Sequence, residues 1–304
     1  MPKTMVIVNP NAGKGYGAKI SPQIATSLQR LGVAFDLVQT RGVGDAIELA
    51  RVAAAQGYET IVAVGGDGTT HEVINGIMAD ANGHPTATLG CIPAGSGNDF
   101  AVMNGAPTDL HEACQVIANG HSQVVDLGLV TIDGSLRRYF DNAVGIGFDG
   151  MVTMETRKVK HLRGMALYLP VVLKTIFLTL TTPHVELTID GQTQKLEALM
   201  LVVCNGPREG GAFHLAPEAL FDDGLLDIVI AKRVPRLEML ALVPRFMRGT
   251  HLSHRAVSTV RGHSVEVRSQ EPLYMHVDGE VLVEHAHHVQ IEVVPAALRM
   301  MARY

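Results

Sequence analysis

Between residues 4 and 93, short β-branched runs alternate with helical patterns, and this alternation constrains the fold more than any other feature. "TMVIVNP", "FDLVQT", "TIVAVGG" and "ATLGCIP" read as strands. The spacing predicts helices over 17–31, 44–57 and 69–79 between them, and over 97–104 and 109–119 after them. Strands joined through helices line up in parallel, with the helices on both faces of the sheet. Such a doubly wound sheet binds ligands at the carboxyl ends of its strands.

Three of those ends are rich in glycine: "NPNAGKG" (9–15), "GGDGT" (65–69) and "PAGSGND" (93–99). Without a Cβ, backbone N–H groups can point into one concavity, and at helix N-termini such concavities take phosphate oxygens. Thr69 and Ser96 could add hydroxyl donors. Taken singly, each turn is equally an ordinary βα connection. Together, with Asp67 between glycines, they argue for a phosphate cradle. No Walker loop is present. "GIGFDG" (145–150) matches G-x-G-x-x-G but lies past the parallel section, with no acidic residue after a second strand.

After Asp126 the rhythm changes. "RRYFDNAVGIGF", "HVELTIDGQTQKLEALMLVVCNG", "LLDIVIA", "VEVRS", "LYMHVDGE" and "HVQIEVV" read as strands of a mostly antiparallel region, with helices near 151–180 and 235–248. Asp190-Gly191 is a hairpin signal. A length of 304 residues favours two domains, and 47% hydrophobic residues supply their cores. The net charge of −5 gives no basic field for nucleic acid. Cys91, Cys114 and Cys204 are odd in number and far apart, so a reducing compartment is expected, with the thiols as buried apolar groups. The chain opens on a strand rather than a signal peptide. Its longest apolar stretch, 165–180, is short for a membrane span and is broken by Pro170 and Lys174. A cytoplasmic protein with peripheral membrane association is the expectation.

The ordered set "NPNAGKG", "GGDGTTHEVINGI", "IPAGSGNDFA", "VDLG", "FDDGLLDIVI" and "VDGE" resembles the diacylglycerol kinase catalytic domain family, which includes sphingosine kinases and bacterial lipid kinases. The set covers most of the chain; a lone GGDG is shared with NAD kinases and phosphofructokinases. The resemblance implies an N-terminal α/β nucleotide domain of that kind (1–126, with about 290–304 returning) and a C-terminal β-sandwich (127–289). The active site would lie between them, and ATP would phosphorylate a hydroxyl of diacylglycerol or a related lipid. A soluble-substrate kinase resembling NAD kinase is the alternative. Ala12 and Ser96 stand where many relatives have serine and threonine, which spares the backbone donors.

What the resemblance implies for single residues follows the motifs. ATP would lie against Asn9, Pro10, Asn11, Ala12, Gly13 and Lys14, against Thr40, and against Gly65, Gly66, Gly68, Thr69, Thr70, His71, Glu72 and Ser96. Lys14 is a point charge for phosphate, or else a solvated lysine. Asp67 could approach the phosphates only with Mg²⁺ between them. Glu72 would hold the loop, join the metal network or cap its helix. Glu280 would be the general base, with Asp278 beside it, although Asp-Gly is also a common turn pair. A second Mg²⁺ would take Asp223 and the carbonyls of Leu220 and Leu225, linked through water to Asp126. His285, His287 and His288 read as edge or turn histidines rather than a metal site. Arg157, Lys158, Lys160 and Arg163 precede the apolar 165–180 stretch and would suit an anionic membrane surface, or else form a solvated run before a core helix. Exposed sheet edges would allow a homodimer.

Overall fold

The computed structural model describes residues 3–81, 85–159, 165–211 and 213–303. Contacts divide the chain into two compact units. One is Met1–Leu127 with Phe221–Asp223 and Val294–Tyr304; the other is Gly128–Leu220 with Gly224–Val293. The first unit thus ends one residue beyond the boundary expected after Asp126, and it takes back 221–223 as well as the expected C-terminal segment.

The first unit runs β1 (Thr4–Val8), α1 (Ala12–Arg30), β2 (Phe35–Gln39), α2 (Asp45–Ala55), β3 (Thr60–Gly65), α3 (Asp67–Met78), β4 (Thr88–Pro93), α4 (Asp99–Met103) and α5 (Leu110–Asn119). The strands are parallel in the order β4-β3-β1-β2, with Val6 opposite both Val62 and Leu37. All of β3 is buried, as expected of a central parallel strand. Ile20, Ile24 and Leu28 recur on one face of α1 and pack on Val6, Val62 and Ile92. Residues 13–15 within α1 are left-handed, so regular helix begins beyond the glycine turn. The α5 helix is bounded by local chemistry: the Asp109 side chain accepts the Glu112 N–H at 3.0 Å, and Gly120 ends it at φ 71°.

The second unit is antiparallel. Its elements are β5 (Ser122–Ile132, entering from the first unit), β6 (Leu136–Phe140), β7 (Ala143–Gly147), α6 (Phe148–Arg157), α7 (Met165–Lys174), β8 (His184–Ile189), β9 (Gln192–Cys204), β10 (Leu226–Lys232), α8 (Arg236–Arg248), β11 (Val257–Gly262), β12 (Ser264–Leu273), β13 (Met275–Val277) and β14 (Ala286–Met301). Asp190 and Gly191, both left-handed, make the β8–β9 hairpin. The first half of β9 pairs β8, which continues through β12 to β14; its second half pairs β7 and β10. One strand thus serves two sheets. Alternation sorts its side chains: Leu201 and Val203 join Val185, Val267 and Ile228 between the sheets. Val202 and Cys204 face the other way, toward Val172 of α7 and Met239 and Leu242 of α8.

In α7 and the π-helical turn after it, Val171, Val172 and Ile176 are buried, while Leu169, Leu173, Phe177 and Leu178 face outward. No described helix is long and apolar enough to cross a membrane.

Candidate active site

In the first unit, the three glycine turns pack backbone to backbone. A Cβ on Gly95 would lie 2.3 Å from the Gly66 Cα, and one on Gly13 would lie 2.4 Å from the Ala94 carbonyl oxygen. Only glycine permits this approach. Side chains then clip the turns together. The Asn9 Nδ2 donates to Thr69 Oγ1 at 3.0 Å, and the Asn98 backbone N–H donates to Asp67 Oδ2 at 2.7 Å. Asn98 is held left-handed (φ 60°) and its Oδ1 accepts the Gly95 N–H at 2.9 Å.

Lys14, Gly68 and Ser96 are exposed around these turns, and Asp67 opens α3. Backbone donors at a helix N-terminus, a nearby ammonium and a carboxylate for a bridging cation form a donor set that fits a Mg²⁺–triphosphate.

Several residues expected at the nucleotide have partners within the first unit. Both oxygens of Glu72 are taken by the N–H groups of Gly44 (2.8 Å) and Ala46 (3.1 Å), so it caps α2 rather than its own helix. His71 is buried, its ring 3.4 Å from Asn75 Nδ2. Ala12 packs into the core with Ile20 and Ile24, and Thr40 and Thr70 are buried. Pro10 is half-buried and Asn11 exposed beside the first turn.

The unit also gathers Asp126 and the short returning segment. The Asp126 N–H donates to the Phe221 carbonyl at 2.6 Å, and its Oδ1 accepts the Ala296 N–H at 2.7 Å. The Phe221 ring meets Phe100 edge-on at 5.3 Å. This brings Asp223 into the unit that holds Asp126. Two carboxylates with carbonyls is an oxygen set suited to Mg²⁺. Leu220 and Leu225, whose carbonyls the resemblance assigns to the same metal, belong to the second unit.

In the second unit, "VDGE" forms a tight turn. Asp278 (φ 46°) and Gly279 (φ 75°) are left-handed, and Val277 and Glu280 exchange backbone hydrogen bonds at 2.9 and 2.8 Å. The Asp278 carboxylate accepts the N–H groups of Asp141, Asn142 and Ala143 at 2.8 to 2.9 Å. It therefore anchors the turn that carries Glu280. Glu280, half-buried, is the acid the turn presents. A buried amide network backs this anchor. Asn142 Nδ2 donates to Asp141 Oδ1 at 2.8 Å, and Asn205 Nδ2 to the Asp141 carbonyl at 2.9 Å.

Two residues before Asp278, His276 is 2% exposed. Its Nε2 is 2.9 Å from Asp149 Oδ2; its Nδ1 is 3.4 Å from Glu209 Oε1 and 3.2 Å from the Gly279 nitrogen. Burial alone would lower the imidazole pKa. The carboxylates of Glu209, Asp149 and Asp278 outweigh it and raise the pKa to about 9, so the ring is a cation at neutral pH. A protonated Nδ1 gives its hydrogen to Glu209; a neutral one accepts the Gly279 N–H. Each ring nitrogen faces a carboxylate, and one ligand atom from each of the three groups lies within 4.8 Å of the others, near enough to share a cation. Gly145 makes room for the pair, since a Cβ there would lie 2.3 Å from His276 Nε2 and 2.5 Å from Asp149 Oδ2. That is the physical reason for a glycine in "GIGFDG". The sequence reading missed His276, Glu209 and Asp149, although two of the three lie inside motifs it quoted.

The comparisons with known proteins fall on the same two regions. Residues 3–130 match the diacylglycerol kinase catalytic domain, and 142–302 match the YegS C-terminal NAD kinase beta sandwich-like domain. A diacylglycerol kinase of Bacillus subtilis is 30% identical over 284 residues, covering 92% of this chain and 90% of that protein. The chain belongs to the diacylglycerol kinase family. It is a kinase, with a Mycobacterium tuberculosis diacylglycerol kinase 29% identical over 98% of the chain and 94% of that protein. A solved diacylglycerol kinase of Bacillus anthracis superposes with a TM-score of 0.74 at 26% identity, covering 99% and 97% of the two chains.

Other sequence-predicted features of this kinase have ordinary local roles. The His285 and His287 rings meet edge-on at 5.7 Å, and His288 Nε2 lies 2.6 Å from Glu266 Oε1. Among the described residues no metal-ligating group gathers there. Of the basic run, Arg157 donates to the Val281 carbonyl at 2.9 Å and Lys158 pairs with Glu155 at 2.5 Å, while Lys160 and Arg163 lie outside the described residues.

Proposed function

We propose that this kinase transfers the γ-phosphoryl group of ATP to a hydroxyl of diacylglycerol or a related lipid. One observation carries the class of acceptor. The second unit contains an open-mouthed cavity of about 230 Å³ whose walls include Leu199, Met200, Met239, Leu242 and Phe246. At its polar end are Asp149, Glu209, His276 and Gly279. Gly279 belongs to the turn that carries Glu280, so an alcohol with its chain in the cavity has its head at that turn. A hydrocarbon chain gains from such walls; a dinucleotide does not.

On this reading, bound ATP with its Mg²⁺ supplies the charge-shielded phosphoryl group, and the protein positions both partners. Lys14 and the N–H groups of the glycine turns hold phosphate oxygens. Asp67 would help to hold the divalent cation, which would shield their charge. Glu280 takes the proton from the acceptor hydroxyl as the new O–P bond forms. Asp278 keeps the base in place through its three backbone bonds. The reading requires the phosphate held by the first unit to meet the acceptor held by the second.

A water-insoluble acceptor has to be drawn from a bilayer, and the outward stripe of Leu169, Leu173, Phe177 and Leu178 is the surface we assign to that contact. Leu178 is 76% exposed. Arg236, whose Nε donates to the Ile176 carbonyl at 2.9 Å, adds a cation beside the stripe, as suits an anionic surface. Leu173→Asp with Leu178→Asp should weaken co-sedimentation with anionic vesicles; unchanged sedimentation would remove the assignment.

Incubation with γ-labelled ATP and Mg²⁺, against a panel of lipid alcohols and NAD, tests the reaction. Label in a lipid is expected. Label in NAD and in none of the lipids would overturn the lipid reading in favour of an NAD kinase-like activity.

A further inference from the structure

We propose that Arg157 and the helix that carries it, α6, position the Glu280 turn, and that α6 relays bilayer contact from the apolar stripe to that turn. The inference rests on Glu280 as base and on the stripe as membrane surface, and goes further, because it makes the activity depend on the surface.

Three observations set α6 against the base. In its first turn, Asp149 Oδ2 is 2.9 Å from Nε2 of His276, four residues before Glu280. At its last residue, Arg157 donates to the carbonyl of Val281, the residue after Glu280, at 2.9 Å. Between the two, the helix lies directly on backbone. A Cβ on Gly150 would come within 2.4 Å of the Tyr274 carbonyl oxygen and 2.5 Å of Met275 Cα. One helix thus grips β13 and its turn at two points, eight residues or about 12 Å apart along its axis. Packing this close leaves no slack, so a shift of α6 moves the turn that carries Glu280.

The same helix is tied to the stripe. Glu155 pairs with both Lys158 and Lys174, each 2.5 Å away, and Lys174 is the last residue of α7. Thr181 Oγ1, beyond the stripe, lies 3.7 Å from Met151 Sδ. Between these two ties runs the π-helical turn Thr175–Thr179, which carries the outward Phe177 and Leu178. The Thr175 hydroxyl at its start is wholly buried and has no hydrogen-bond partner among the described residues. Such a turn is kept by its surroundings more than by its own bonds, so it is where the segment gives when Phe177 and Leu178 leave water. The movement reaches Lys174, next to Thr175, and passes through Glu155 to α6. A bilayer that binds one arrangement of the segment better than the other thereby shifts the population of the turn.

The test separates binding from transmission. Phosphatidylglycerol vesicles without acceptor are added to the whole protein, and hydrogen exchange of the segment 277–281, whose ends bond each other across the turn, is followed by mass spectrometry. This needs no turnover. Exchange should slow about fivefold as vesicles bind, and kcat on dihexanoylglycerol, kept below its micelle concentration, should rise by a similar factor. Glu155→Gln removes a negative charge, so it should sediment with the vesicles at least as well as the parent, yet show neither change. Exchanging the pair, Glu155→Lys with Lys174→Glu, should restore both. Arg157→Ala should lower kcat about tenfold with the KM for ATP unchanged, and Arg157→Lys, which keeps a donor, should recover part of the loss. Bound vesicles that leave exchange at the turn unchanged, Glu155→Gln responding like the parent, or Arg157→Ala with the parental kcat would overturn the proposal. Vesicles that do not bind the parent would sink the stripe and the proposal with it. Slowed exchange in a protein that phosphorylates no lipid would leave the coupling standing and sink the lipid-kinase reading instead.

Discussion

Raising the pH through about 9 should loosen the second unit by way of His276. The buried ring has an ordinary pKa of 6.5, raised to about 9 in the fold; burial opposes the rise, and Glu209, Asp149 and Asp278 outweigh it. Because the folded value is the higher one, the protonated ring stabilises the folded state. The contribution is complete below about 6.5, shrinks as pH rises, and is lost beyond about 9. The gap between those values, at about 1.4 kcal/mol per pH unit, comes to roughly 3 kcal/mol, most of it still present at pH 7. A loss of that size is a large share of a domain's typical stability. Urea unfolding followed by far-ultraviolet circular dichroism at pH 7 and pH 10 measures it. His276→Gln cannot titrate, so it should be weaker at pH 7 and lose little more by pH 10. Equal stability of the parent at both pH values, or an equal fall in the variant, would refute the clamped imidazolium.

Other expectations concern the turns and the metal. Glu280→Gln should lower kcat by about a hundredfold with ATP affinity nearly unchanged, read by single-turnover kinetics beside nucleotide titration; a matching loss of ATP affinity would move Glu280 to the metal. Gly95→Ala places a methyl 2.3 Å from Gly66 Cα, so ATP binding measured by calorimetry should fall at least tenfold; parental binding would show that the turns need not touch. Asp223→Ala should lower the melting temperature in Mg²⁺, and EDTA should lower that of the parent but not of the variant; curves insensitive to EDTA in both would remove the second metal.

Periodicity and glycine placement are local properties, and what depends on them was legible from the chain. The βα alternation, the antiparallel second half, the Asp190-Gly191 hairpin and the grouping of glycine turns on strand ends all follow from side chains a few positions apart. The identity of the family was equally legible, because its motifs are short and occur in order. Side-chain partners across the fold were not. Glu72 lies in the signature stretch, yet whether it faces a ligand or the start of α2 depends on how α2 and α3 pack. That Asp278 anchors its own turn is invisible until the segment 141–143 is laid against it, across 135 positions or more. His276 and Asp149 are separated by 127 positions, and only the register of β13 on β7, with a glycine at 145, brings them to 2.9 Å. A buried histidine and a half-buried carboxylate carry no pattern in the sequence; their charge states are set by what tertiary packing places beside them, and so is the chemistry they can do.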